Sequence, residues 1–348
     1  MFSPATSFNH SSNGPAMLRS LALSNVFRLL AKAPSFGAVI GVIVMLIAFT
    51  LVDFSGWWTK PTISNVVHFT SLLAILAMGQ ALVILSKEID LSVGAVYGLT
   101  GISFIYLQPI LGVPGSVIGS LAIAMLCGWV QGFAVVKGRL PSMIVTLGGL
   151  FAFRGIIYVL TGGSVHSFPV EAQNHWLTQL LGGEFMGIKV AIIWMLLVLL
   201  ILSALLWTTR FGNRLLATGG DADSALSRGI RTDRVKMAAF TLCASLAGFS
   251  GILTLADEPQ THVTIGELLE LDAIAAAVIG GCLLTGGRGS LVGAVLGALI
   301  LVSFRYELIA LGAPSSWYIT FVGALLIASV IFNQWLARGG GLWLIQGK

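Results

Sequence analysis

Apolar runs about as long as a bilayer is thick recur along most of the chain, and they limit its fold more than any motif does. They fall at 36–52, 63–85, 91–107, 116–136, 141–161, 188–208, 235–256, 271–284, 290–304 and 317–336. A helix needs roughly 20 such residues to cross the hydrocarbon core. Only 9% of the chain is charged and 56% is hydrophobic, against about a quarter charged in soluble domains. A soluble core does not account for that deficit. The sequence therefore predicts an all-α polytopic membrane protein with about ten spans, one of them a short re-entrant or broken helix near 271–284.

The basic residues fall between the runs. With the N-terminus inside, the alternating loops place Lys87, Lys137, Arg139, Arg210, Arg214, Arg228, Arg231, Arg234, Lys236, Arg288, Arg338 and Lys348 on the cytoplasmic side. Arg19, Arg28 and Lys32 of the leading tail join them, which makes 15 of the 19 Lys and Arg residues. This bias is the positive-inside signal, and an odd number of spans would spoil it. Expected from it are a cytoplasmic tail over 1–34, a membrane domain over 35–337, a cytoplasmic loop over 210–236 and a cytoplasmic tail over 338–348. A nucleic-acid partner would need basic residues gathered on one polar face, which is not the pattern here. Cys127, Cys243 and Cys282 all lie in apolar runs without metal-ligand spacing, so no metal site is expected.

Four segments carry polar chemistry. In the loop 210–236, Asp221 can cap a short helix over 222–228 by accepting from the amide of Asp223 or Ser224, and Gly229 suits the left-handed residue that ends it. A helix that short needs a partner surface to hold it, and small Ser224, Ala225 and Ser227 would leave room for close docking. In IDLSVGAVYGLTG, Asp90 and Ser92 precede Gly94 and Gly98; Asp90 can cap a helix starting at Leu91, at the inner membrane face. Arg154 lies deep in its run, where it either faces a polar cavity or partner or extends to the outer interface. Glu267, Glu270 and Asp272 are placed at the outer end of the short span, as solute ligands or as solvated acids. The matching pieces GSVIG (115–119) and GSLVG (289–293), each opening an apolar run, hint at an internal repeat.

No phosphate-loop motif G-x-x-x-x-G-K-[ST] occurs, and neither H-E-x-x-H nor G-x-S-x-G is present, so ATP hydrolysis by that route and the common hydrolase chemistries are not expected of this chain. Most acids lie near the ends of runs, which weighs against the alternative of an ion-gradient-driven secondary transporter.

Five segments in order, IDLSVGAVYGLTG, LPSMIVTLGGLFAFRG, LLATGGDADSALSRGI, ELDAIAAAVIGG and GGRGSLVGAVLGALI, resemble the permease subunits of monosaccharide ABC importers of the ribose, xylose and galactose type. The likeness runs from about Ile63 to Leu336. It implies import of a monosaccharide or related small polar solute, delivered by an extracytoplasmic binding protein. It also implies a second permease copy or a related permease, and two cytoplasmic ATPase subunits that bind the ATP and magnesium; no cofactor is implied on this chain. The resemblance assigns Gly219, Gly220, Asp221, Asp223, Ser224, Ala225, Ser227, Arg228, Gly229 and Ile230 to the segment that docks on the ATPase. Asp90, Ser92, Thr146, Arg154, Glu270 and Asp272 are the candidates for the translocation path. The chain departs from its relatives at Lys87 and Glu88, where they tend to have Gly, at Asp221 and Ala222, where they tend to have Asn and Pro, and at Cys282, where a small hydroxyl residue is usual.

Overall fold

The computed structural model of the protein describes residues 35–185, 187–314 and 316–337, with side chains up to Ile331. The two tails expected to be cytoplasmic, 1–34 and 338–348, lie outside the described residues. Fourteen helices are present among the described residues: α1 (Phe36–Val52), α2 (Phe54–Trp57), α3 (Lys60–Leu85), α4 (Val93–Gly138), α5 (Ser142–Thr161), α6 (Val170–Gln173), α7 (Trp176–Gly182), α8 (Val190–Thr208), α9 (Arg210–Gly220), α10 (Ala222–Ser227), α11 (Thr232–Asp257), α12 (Leu269–Ile279), α13 (Leu291–Ala310) and α14 (Ser316–Ala337). Two-residue strands pair β1 (His166–Ser167) with β4 (Gln260–Thr261), and β2 (Glu184–Phe185) with β3 (Ile188–Lys189).

Six of these helices, α3, α4, α5, α8, α11 and α13, are long and apolar enough to cross a membrane, and α1 and the stretch Ser316–Ile331 are shorter apolar helices. The runs expected at 91–107 and 116–136 form one helical stretch, α4, interrupted at Gly112 (φ 66°, ψ 178°) between Pro109 and Pro114. The chain doubles back there. Gln131 bonds Ser92 and Leu107 packs beside Gly119, pairings that only an antiparallel hairpin allows. A left-handed glycine between two prolines supplies the turn, because proline removes the amides that would continue the helix. The run expected at 271–284 is helical only from Leu269 to Ile279, since glycines 280, 281, 286 and 287 follow it.

The core is built around α3 and α11, which cross in opposite directions. Ser250 Oγ donates to the Leu72 carbonyl at 2.9 Å, and Gly79 faces Cys243. Both arms of α4 pack on α11, with Tyr97 against Gly251 and Gly128 against Phe240. Both α12 and α13 pack on α3. The helices after α3 thus pack on α11 and those after α11 pack on α3, with α3 and α11 antiparallel. The matching sequence pieces fall at equivalent places: 115–119 opens the second arm of α4, and 289–293 opens α13.

Candidate functional site: two broken helices and a short capped helix

After α3 ends, Lys87 takes a left-handed conformation (φ 66°) and turns the chain back along the helix. With its amide oriented to satisfy its neighbours, Gln80 bridges the Asp90 amide and carbonyl at 3.2 Å each. Asp90 therefore lies level with a residue five positions before the helix end, roughly 8 Å inward at 1.5 Å per residue. Its Oδ1 accepts from the Ser92 amide at 2.8 Å and from the Ser92 hydroxyl at 2.7 Å, and that hydroxyl accepts from Gln131 Nε2 at 2.7 Å. Thr146 Oγ1 donates to the Ser142 carbonyl at 2.8 Å and reaches the Ile89 carbonyl at 3.4 Å. Asp90, Ser92 and Thr146 are all fully buried. The expected cap at the membrane face is thus corrected. The helix opens at Val93 with Ser92 as its N-cap residue, and Asp90 holds an interior turn that precedes it.

The second break lies between α11 and α12. Segment 258–268 is pinned where β4 pairs with β1 and then turns inward against the first arm of α4. Arg154 Nη1 donates to the Ile265 carbonyl at 2.6 Å, so this guanidinium binds the main chain of the broken segment. Glu270 packs directly on Gly94, and Gly98 faces the Ile265 carbonyl. Glu270 Oε2 and Arg154 Nη2 are buried without a hydrogen-bond partner among the described residues. Arg305 lies 5.1 Å from the centre of the Tyr318 ring. The reading of Glu270 and Asp272 as solvated acids is corrected, since they are only 8% and 6% exposed. The short run begins below the surface because its preceding loop re-enters.

Sequence reasoning missed a third cluster. Asp257 pairs with Lys189 at 2.7 Å and with His68 at 3.2 Å, tying α11 to α3 and to the start of α8. These residues come from three separate segments, and no local pattern marks them.

At the opposite end of the bundle α9 runs into α10. Asp221 Oδ1 accepts from the amides of Asp223 and Ser224 at 3.1 and 3.2 Å, and Oδ2 accepts from the Ser224 hydroxyl at 2.6 Å. The Ser224 hydroxyl, aided by these amides, holds the Asp221 carboxyl below its ordinary value. Gly229 is left-handed (φ 80°), as its place predicts, while Arg228 follows the helix as its C-cap and does not lie within it. The partner-facing role expected of Ala225 is corrected. Its side chain is 3% exposed and packs into this chain, because the Ile230 amide returns to the Ala225 carbonyl at 3.0 Å and folds the loop over it. Asp223, Ser224, Leu226, Ser227 and Arg228 form the outward surface, with Leu226 53% exposed.

The loop that carries α10 is joined to the first break through main chain. Gly219 abuts the Leu85 carbonyl so closely that a β-carbon would collide with it, and the Gly287 amide donates to that same carbonyl at 3.0 Å. Lys236 on α11 pairs with Glu88 at 2.6 Å beside this joint. The end of α9, the turn after α3 and the turn after α12 meet at one point.

Comparison with known proteins agrees with this architecture. A family described as branched-chain amino acid transport system / permease component matches residues 62–330. The autoinducer 2 import system permease protein LsrC of Escherichia coli O157:H7 is 32% identical over 300 residues, covering 85% of this chain and 86% of the relative. LsrC of Salmonella typhi is 32% identical over 298 residues (85% and 84%), and that of Yersinia pseudotuberculosis serotype O:1b (strain IP 31758) is 29% identical over 299 residues (85% and 83%). The matched stretch runs from the first turn of α3 into α14, takes in both breaks and α10 and leaves out α1 and α2, and the chain belongs to this family of ABC-importer permease components.

Proposed function

We infer that the chain is the membrane subunit of an ATP-driven importer for a monosaccharide or a sugar-derived signal of the autoinducer 2 type. It crosses the bacterial inner membrane ten times with both termini inside. A binding protein delivers the solute, a second permease completes the path, and partner ATPases dock on α10. The observation that carries the reading is the meeting of two helix breaks inside the bundle, at Gly94, Ile265 and Glu270, with Arg154 bound to the broken segment. Irregular backbone at membrane depth is tolerated where protein buries it or where it lines a cavity, and broken helices mark solute sites in transporters. A guanidinium there costs about 3 kcal/mol unless polar groups meet it.

The path follows α5, most of whose length is exposed, past Arg154 and Glu270. Unused hydrogen-bonding atoms on these two side chains suit hydroxyl-rich solutes, which both donate and accept. Coupling runs from α10 through Gly219 to the Leu85 carbonyl, so a push on the docking helix reaches the first break and the turn after α12 through main chain. The deciding experiment reconstitutes the permease in vesicles with its ATPase and binding protein. Uptake of autoinducer 2 or ribose is expected only with internal ATP and both partners. Uptake by the permease alone on a proton or sodium gradient would replace this reading with that of a secondary transporter.

A further inference from the structure

A cavity of about 370 Å³ opens beside the docking helix, lined by Phe211 and Arg214 of α9, Gly229, and Arg231, Arg234 and Val235 at the start of α11. Three exposed arginines thus line one small space. None of the three has an ion-pair partner among the described residues; the nearby acid on α11, Asp233, is engaged by Lys137 at 3.6 Å. The residue that opens α11, Arg231, makes no side-chain cap, so the positive end of a 26-residue helix adds to the same field. Like charges gathered without a counterion repel, and a bound anion relieves that repulsion. Arginine suits phosphate because its planar fork meets two oxygens at once.

Depth selects the anion. At 1.5 Å per residue α11 is about 39 Å long, against about 30 Å of hydrocarbon, so its first turn lies in the headgroup layer. Preceding it in the chain, α9 packs Leu215 against the bundle and leaves Asn213 and Arg214 exposed, so its polar side faces the same cavity edge. Basic pockets between membrane helices on the cytoplasmic side hold anionic lipid headgroups. We propose that the cavity formed by Arg214, Arg231 and Arg234 binds the phosphate of an anionic phospholipid headgroup, anchoring the base of the docking helix to the inner leaflet.

The test measures thermal unfolding of the full chain, followed by tryptophan fluorescence, in nanodiscs of phosphatidylcholine with or without phosphatidylglycerol. Phosphatidylglycerol is expected to raise the wild-type Tm by several degrees. The rise should fall to less than a third in R231Q/R234Q and persist in R231K/R234K, which keeps the charge. Equal rises in wild type and R231Q/R234Q would overturn the proposal. Inorganic phosphate in phosphatidylcholine discs, at matched ionic strength, is expected to give less than a third of the rise; a full rise would overturn the lipid source in favour of a soluble phosphate. Should R231Q/R234Q not fold, Arg214→Gln and the phosphatidylglycerol retained on purified protein in native mass spectrometry give the same readout. A variant that loses ATPase co-purification while keeping its lipid response would assign the cavity to the partner protein and overturn the proposal.

Discussion

Lys87 occupies a left-handed conformation (φ 66°) that an L-residue adopts at a cost of about 1–2 kcal/mol. A glycine, the residue the resemblance leads one to expect at that position, would adopt it without that cost. Three residues later Asp90 spends one carboxylate oxygen on the amide and hydroxyl of Ser92, and it is fully buried. Asp90→Asn keeps an acceptor in place, so near-normal expression and uptake are expected. Asp90→Ala strands two buried donors, which costs about 1–3 kcal/mol each. A clear loss of Tm and of membrane-inserted protein should follow, measured by fluorescence-detected gel filtration. A changed solute preference for Asp90→Asn at unchanged expression would place this carboxylate in the path. Sequence alone shows an acid followed by a serine, but the partners that fix its role come from Gln80, Gln131 and Ser142, far away along the chain.

Among the elements, α10 was the most legible. Its capping acid and its terminal glycine each act locally, so residues 221–229 largely determine its shape. Which face it presents was not legible, because burial of Ala225 follows from the return of Ile230 over the helix. The informative substitution therefore lies on the exposed side. Leu226→Asp is expected to leave insertion unchanged and stability within about 0.5 kcal/mol of wild type, as exposed substitutions usually do. It should abolish co-purification of the ATPase and solute-stimulated ATP hydrolysis; wild-type values for both would move the docking surface elsewhere. Gly219→Ala forces a methyl onto the Leu85 carbonyl. The expected outcome is an assembled complex that hydrolyses ATP with transport reduced at least tenfold, read as the ratio of solute moved to ATP consumed.

For the whole molecule, the contacts sort the loops into two groups, and the sorting agrees with the charge pattern. Lys137 with Asp233, Lys236 with Glu88, and Gly287 with Leu85 gather the arginine- and lysine-rich turns at one end. Lys189 with Asp257, and β1 with β4, gather the others at the opposite end. A ten-pass arrangement requires α4 to count as two crossings and α12 with its flanking turns as one. Cysteine substitutions at Ser7 and Gly347 are expected to react with impermeant reagents only from the cytoplasmic side, and one at Gln173 only from outside. External labelling of either terminus would give a different number of crossings.

Membrane character, the apolar runs, the basic-loop asymmetry, the absence of a phosphate loop and the docking-helix caps were all determined by the sequence by itself. Each depends on composition or on spacing within a few residues, where side-chain periodicity and local hydrogen bonds act directly. Only the tertiary structure decided where the helices break, because a polar segment survives inside a bundle when distant residues meet its exposed backbone. Arg154 reaches Ile265 across 111 positions, and Gln131 reaches Ser92 across 39. Such pairings leave no periodic trace in the sequence, and they turn an acid that reads as a surface cap into an interior tie.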